Sequence, residues 1–485
     1  VHAGQGDYEV ALTLYRQAIA RHNLTRDEAV SWDNLANVLI NLGRYEEAIS
    51  AYRQAVDLDP AYFLSWNSLG NVYQGLGRYP EAIEAYQQAI ELDPDSALPW
   101  NGLGDVYRAQ GQLPEASQPG ATRQVEQAIE AYRRAISLDS GYAWPYHSLG
   151  LIFEQRRDYE AALQYYHQAL ERHENQRHKA ILWYNIGNIQ RESGRYQEAI
   201  EAQQQAVALD AGLALPWFGL GNVYAAQNRA QDAISAYRRA IEVNPYYWAN
   251  HNSLGAVFLQ LGEYEMALAS YRRVTELEPD NSVGYENMGA TYMYMGRYDE
   301  AITSLQLALQ RQPHYATYSN LGTVYYFKKQ YEDAVKMYEK AVELNPNDEV
   351  LMGNLADAYR SSGRGEKATA TYNQAISLAQ KALRVNPRDT GTLGSLALYY
   401  SKIGQNAEAI RNISNARSID AKNVDLMYIE ARVYAKAGRT DAALQSLREA
   451  FRNGHSIERA KNDPELGALR EDPRFQKLLS EFAAK

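Results

Sequence analysis

Marked for apolar positions alone, the stretch Trp66–Pro94 (WNSLGNVYQGLGRYPEAIEAYQQAIELDP) separates into two helical faces. Trp66, Leu69, Gly70 and Tyr73 share one face, at spacings a helix brings to one side. Tyr79, Ala82, Ile83, Tyr86, Ala89 and Ile90 share a second. Gly77-Arg78 breaks the first run, and Asp93-Pro94 ends the next, because proline cannot continue a helix. The pattern predicts two antiparallel helices joined by a tight turn. Gly70 and Ala82 are expected to face each other, small residues that let the helices approach closely.

The same ruler fits most of the chain. Trp32 stands 34 residues before Trp66, Trp100 stands 34 after, and Trp217, His251 and Tyr285 continue that step. The Gly70 position holds Gly or Ala in twelve copies, from Ala36 to Ala431. The Ala82 position holds Ala in all twelve, from Ala48 to Ala443. A 34-residue period with this pattern resembles the tetratricopeptide repeat (TPR) family, over roughly residues 5 to 452. The resemblance implies an all-α fold: an α-solenoid in the form of a right-handed TPR superhelix of about twelve helix-turn-helix repeats. A half repeat would precede them and a C-terminal helical cap would follow.

Residues 1–28 read as a partial repeat, with the second helix alone, and residues 29–452 as twelve units. Insertions fall near 117–128, 173–179 and 373–382. The first contains Gln118-Pro119-Gly120 and is expected to be an extended connection. The second is expected to be a polar turn. The third adds seven residues of helix-forming sequence and should lengthen the second helix of repeat ten. Residues 453–485 are expected to form capping helices, with Asp463-Pro464 and Asp472-Pro473 as helix starts. That tail resembles the ends of TPR regions in bacterial signalling proteins. With Val1 opening the chain on half a repeat, more protein is expected upstream.

Charge and composition narrow the function. The formal charge is −10, from 59 acidic and 49 basic residues, which argues against nucleic-acid and anionic-membrane partners. The absence of cysteine excludes disulfides and thiolate chemistry. No apolar run spans a bilayer and no secretory signal is seen, so a cytoplasmic location is expected. The histidines lack the HExxH spacing of a helical zinc site, and His173 and His178 read as solvated surface. Neither a phosphate-binding glycine loop nor a nucleophile elbow is present. The chain is expected to be no enzyme, with no cofactor and no metal.

The first helices instead display asparagine. One place after the Trp66 position are Asn67, Asn101 and Asn252; two places after are Asn34, Asn185, Asn287, Asn320 and Asn354. Five places after are Asn37, Asn71, Asn188 and Asn222. In the TPR family this surface lines a concave groove, and an amide that donates and accepts suits the backbone of an extended peptide. The arrangement resembles the asparagine ladder in the TPR superhelix of O-linked N-acetylglucosamine transferases. Eight and nine places on, repeats seven to nine carry Leu259, Met293, Tyr294, Tyr326 and Phe327, a hot-spot composition. The expected function is protein or peptide binding in that groove, as the recognition region of a larger bacterial signalling or defence protein. Alternatives are a structural scaffold for an assembly and a substrate-selecting region of a glycosyltransferase or kinase. End-to-end self-association through the incomplete first repeat is a further expectation.

Overall fold

The computed structural model describes residues 5–19, 25–111 and 119–483. They divide into two compact units, Val1–Pro245 and Tyr246–Lys485. Among the described residues every regular element is a helix. In the N-terminal unit a single helix, Gln5–Ile19, precedes six pairs. These are Thr25–Asn41 with Tyr45–Leu58, Phe63–Gly75 with Tyr79–Leu92, and Ala97–Gly111 with Pro119–Leu138. Ala143–Gln155 with Tyr159–Arg172, Gln176–Glu192 with Tyr196–Leu209, and Ala214–Ala226 with Ala230–Val243 complete it.

The C-terminal unit holds Trp248–Gln260 with Tyr264–Leu277, Ser282–Tyr294 with Tyr298–Arg311, and Tyr315–Phe327 with Tyr331–Leu344. Then come Glu349–Ser361 with Gly365–Val385, Thr390–Lys402 with Asn406–Ile419, and Val424–Lys436 with Thr440–Arg452. Short helices Ile457–Asn462, Pro464–Leu469 and Pro473–Ala483 end the unit. The Asp463 carboxylate accepts the Glu465 amide and Asp472 accepts the Arg474 amide, each at 2.8 Å, so each aspartate caps the helix its proline begins. Each unit is an α-solenoid: the two helices of a pair pack together, and successive pairs pack on their neighbours.

Period and packing meet in the alanines. All twelve at the Ala82 position are 0% exposed, so no larger side chain fits without displacing a helix. The Gly70 position behaves differently from the expectation. A Cβ at Gly70 would lie 2.7 Å from the Tyr86 ring, so the glycine makes room for tyrosine rather than for Ala82. Gly102, in the next repeat, faces the same ring at 2.4 Å. Tyr86 therefore wedges between two first helices. Where Leu305 replaces tyrosine, a Cβ at Gly289 would meet the Leu305 side chain at 2.6 Å and the Ala301 carbonyl oxygen at 3.4 Å.

Turns between paired helices need one left-handed residue, and glycine supplies it at Gly77 (φ +72°) and most equivalents. Arg157, Asn228 and Lys329 take the same conformation, at φ 58°, 58° and 59°.

The insertions become helix. Gly365–Val385 is 21 residues long, against 14 in a regular second helix such as Tyr79–Leu92. Seven residues is close to two turns, so the apolar face returns to register. Near 117–128, the helix Pro119–Leu138 starts with the inserted Pro119-Gly120, where an extended connection was expected. Proline is favoured in a first turn, which lets that helix begin early. Residues 112–118, including Gln118, lie outside the described residues, as do 1–4 and 20–24 of the first partial repeat. Near 173–179, Asn175 caps a helix running from Gln176, so Gln176–Lys179 are helical rather than turn.

Candidate functional site

Positions one, five and eight after the Trp66 position share one face of each first helix, with two and nine beside them. Tyrosines on the second helices organise this face from below. Tyr52, Tyr86, Tyr132, Tyr166, Tyr237, Tyr271, Tyr338 and Tyr372 occupy the Tyr86 position, all buried. Their hydroxyls reach the polar row: Tyr52 donates to Asn37 Oδ1 (2.9 Å), Tyr86 to Asn71 Oδ1 (2.7 Å) and Tyr237 to Asn222 Oδ1 (2.7 Å). Burial pushes the phenols of Tyr52, Tyr86 and Tyr271 up, Tyr271 to about 12, so they remain hydroxyl donors at ordinary pH. An asparagine whose oxygen is taken this way is left with its NH₂ to offer. At Asn71, which is exposed, and Asn222, which is half-buried, that amide is free for an acceptor. Asn37 spends its own on Asp33. Asn188 has no tyrosine below it, because Gln203 stands there and donates to the Tyr184 carbonyl.

The other asparagines lie differently. Asn67, Asn101 and Asn185 are only 9% exposed, which corrects the expectation that every member of the ladder is open. Asn67 and Asn101 stand at position one, where a first helix abuts the next first helix, so their side chains are covered there; Asn185 stands at position two. Ser65 donates to Asp33 (2.7 Å) and Thr317 donates to Glu286 (2.6 Å) along the same seam. The Oδ1 atoms of Asn67 and Asn101 are buried without a partner. Asn287 donates to Asn252 Oδ1 at 2.8 Å, and Asn185 lies 3.4 Å from His147 Nε2. Asn34 donates to the Val30 carbonyl one turn back in its own helix. Asn320 and Asn354 are half-buried.

Carboxylates share this row and were missed when asparagine alone was followed. Asp105 accepts from Tyr132 (2.6 Å) and Asn101 (3.2 Å), with Ser148 at 3.4 Å and Arg108 at 3.7 Å. Burial pushes the carboxyls of Asp33, Asp105 and Glu154 up. Glu154 accepts from Tyr166 at 2.5 Å, and Asp357 accepts from Tyr372. The available signal was position: Asp105 and Asp357 stand five places after the Trp66 position, where Asn37, Asn71, Asn188 and Asn222 stand in other repeats.

The aromatic cluster divides. Tyr294 is 62% exposed and Phe327 54% exposed. Leu259, Met293 and Tyr326 are half-buried; Tyr326 shares a hydrogen bond with Ser361 (3.0 Å) and packs edge-on against Tyr331. Phe327 stacks over Tyr298 with centroids 6.2 Å apart. Elsewhere, His173 is buried rather than solvated. It stacks on His178, and both rings meet Trp144, at 5.1 and 4.6 Å.

Among the described residues no group of three or more His, Asp or Glu is placed to hold a metal ion. No described helix is long and apolar enough to cross a membrane. A family model described as TPR repeat matches residues 36–77 and 75–111. Models described as tetratricopeptide repeat match 95–175, 141–212, 178–245 and 281–347, also 218–282 and 395–455, and 328–386. No curated protein matches by sequence. Among solved structures, yeast Tom70 is 15% identical, over 93% of this chain and 99% of its own, with a TM-score of 0.46. Cut9, in the APC/C Cut9–Hcn1 hetero-tetramer, is 17% identical over 88% and 93%, with a TM-score of 0.40. MamA is 20% identical over 36% of this chain and 95% of its own, with a TM-score of 0.32.

Proposed function

The chain belongs to the tetratricopeptide repeat family, and from that premise we propose that it binds an extended peptide or protein segment along its first helices. The observation that carries the reading is the pair Tyr294 and Phe327. Two large aromatic rings stand at one repeat position in consecutive repeats and remain mostly in water. Tyr326 and Met293 already fill the neighbouring core, and Phe327, although it stacks on Tyr298, stays mostly exposed. A partner that covers them gains apolar burial, and aromatic anchors of this kind dominate binding energy. In the N-terminal unit, Asn71 and Asn222 add outward amides that suit a peptide carbonyl.

We read this binding region as part of a larger cytoplasmic signalling protein, a reading supported by the DPELGALREDPRF tail. The test is a photo-crosslinking residue installed in place of Tyr294 or Phe327, with a second-helix control at Glu300, in cells of the source organism. Crosslinks to one partner from 294 and 327, reduced when the other ring is Ala, support the proposal. Crosslinks confined to position 300 would favour a scaffold held through its second helices.

A further inference from the structure

Between consecutive second helices lie pockets floored by the first helix beneath them. In repeats two and three, a pocket of about 550 Å³ is floored by Trp100, Leu103 and Tyr107, with Glu91 and Glu130 in its wall. In repeats five and six, one of about 370 Å³ is floored by Trp217, Leu220 and Tyr224, the same repeat positions. The smaller pocket holds a cation of its own: the Arg239 guanidinium lies 5.6 Å from the Trp217 ring centre, with Asp232 in the same wall. In three further repeats the aromatic ring at this position also lies under a second-helix cation. Arg172 lies over Tyr146 at 4.3 Å, Arg311 over Tyr285 at 4.1 Å and Lys340 over Tyr318 at 5.4 Å.

Trp100 differs. Among the described residues no cation lies over its ring, and Arg134, the counterpart of Arg239, is exposed. The wall is acidic, and no lysine or arginine lines the pocket. We propose that the pocket over Trp100 binds an arginine side chain of a partner protein. A planar guanidinium stacks on indole, and its five N–H donors reach carboxylates on both sides. Its aliphatic stem lies against Ile90 and Leu103. Gln88 donates to Glu91 Oε2 at 3.3 Å and leaves Oε1 for the ligand. The chain's own arrangement at Trp217 is the precedent, and the proposal is independent of the first-helix face.

The probe is acetyl-Ala-Leu-Arg-Leu-Ala-amide, with citrulline replacing arginine as the neutral control. The readout is the ¹H–¹⁵N indole signal of Trp100 in the full chain, assigned by its loss in Trp100→Phe. The expected result is a saturable shift with the arginine peptide, about tenfold weaker with citrulline. Glu130→Gln should weaken it about threefold, and Phe327→Ala should leave it unchanged, which separates this pocket from the aromatic pair. No shift at millimolar peptide overturns the proposal. So does equal affinity for both peptides, and so does a shift that requires Arg134→Ala, which would mean the chain fills the pocket itself.

Discussion

Repeats three and ten carry the same polar triplet at the same positions: Asp105, Arg108 and Tyr132 in the N-terminal unit, Asp357, Arg360 and Tyr372 in the C-terminal unit. The tyrosine donates to the aspartate in both. The difference comes from one residue in the following repeat. Lys402 sits with its ammonium 2.5 and 2.6 Å from the Asp357 oxygens, its side chain only 8% exposed. Arg360 is released to donate to the Lys402 carbonyl. The counterpart of Lys402 in repeat four is Gln155. Among the described residues Asp105 then has one cation, Arg108 at 3.7 Å, and burial outweighs it together with the Tyr132, Asn101 and Ser148 contacts, pushing the carboxyl up. One motif is thus a closed ion pair in one unit and an undercompensated buried acid in the other.

Breaking the closed version should have the largest effect. Lys402→Met leaves Asp357 without its cation and should cost about 3 kcal/mol, since stranding one partner of a buried pair is expensive. Hydrogen exchange in Glu349–Ser361 is the local measure, and unchanged protection there would mean the pair contributes nothing. Arg108→Met in repeat three should cost less, about 1 kcal/mol, because its contact with Asp105 is longer.

Only the N-terminal version has a histidine beside it. His147 is held down to about 4 by burial first, then by His173, Arg108 and His178. Its folded pKa lies below the unfolded value of 6.5, so the unfolded chain takes the proton first as pH falls. The stabilisation is whole above pH 6.5 and drains between 6.5 and about 4, roughly 2 kcal/mol after allowance for solvent. Asp105 works in the opposite sense, since a raised carboxyl pKa favours the folded state at low pH. Protection of Ala97–Gly111 followed from pH 7 to 4 should therefore fall in the wild type and flatten in His147→Gln. Equal slopes in the two proteins would remove His147 from the network.

Replacing the acid by its neutral isostere should separate the two repeats by sign. Asp105→Asn keeps an acceptor for Tyr132 and copies Asn37 and Asn71, so it should gain about 1 kcal/mol at pH 7. Asp357→Asn strands Lys402 and should lose about 2 kcal/mol. Gln155→Lys, which supplies the missing cation, should raise the stability of repeat three. Urea denaturation read at each unit checks all three, and the same sign for both Asp→Asn changes would refute the comparison.

Why the period was legible and this network was not follows from what each depends on. An alanine at 0% exposure is fixed by helix geometry that repeats every 34 residues, so Ala48 to Ala443 could be found by counting. Glycine opposite Tyr86 could not, because the contact joins residues sixteen apart on different helices, and Gly102 joins it from the next repeat. The asparagines were legible as a row but not by exposure. Asn67 and Asn71 differ by four residues and share a face, yet the first is covered by the neighbouring repeat and the second is not. Tyr294 and Phe327 stood out because that position is elsewhere mostly polar or small. Lys402 acts across a repeat boundary, after an inserted seven residues, where no single-repeat pattern reaches.

The smallest effect calibrates the rest. Arg157 and Lys329 hold left-handed turns in repeats four and nine, each beside one version of the triplet. A β-carbon in that conformation costs about 1 kcal/mol, and glycine removes the cost while adding freedom to the unfolded chain. Arg157→Gly and Lys329→Gly should therefore each stabilise by about 0.5 kcal/mol, with the same sign and nearly the same size in both units. Among the described residues Lys329 has no ion pair to confuse the result, whereas its neighbour Lys328 pairs with Asp299. If the two turns respond alike while the two aspartates respond oppositely, the contrast belongs to the residue one repeat away and not to a general difference in unit stability. A gain in one turn and a loss in the other would mean the units themselves respond differently, and the aspartate contrast would lose its explanation.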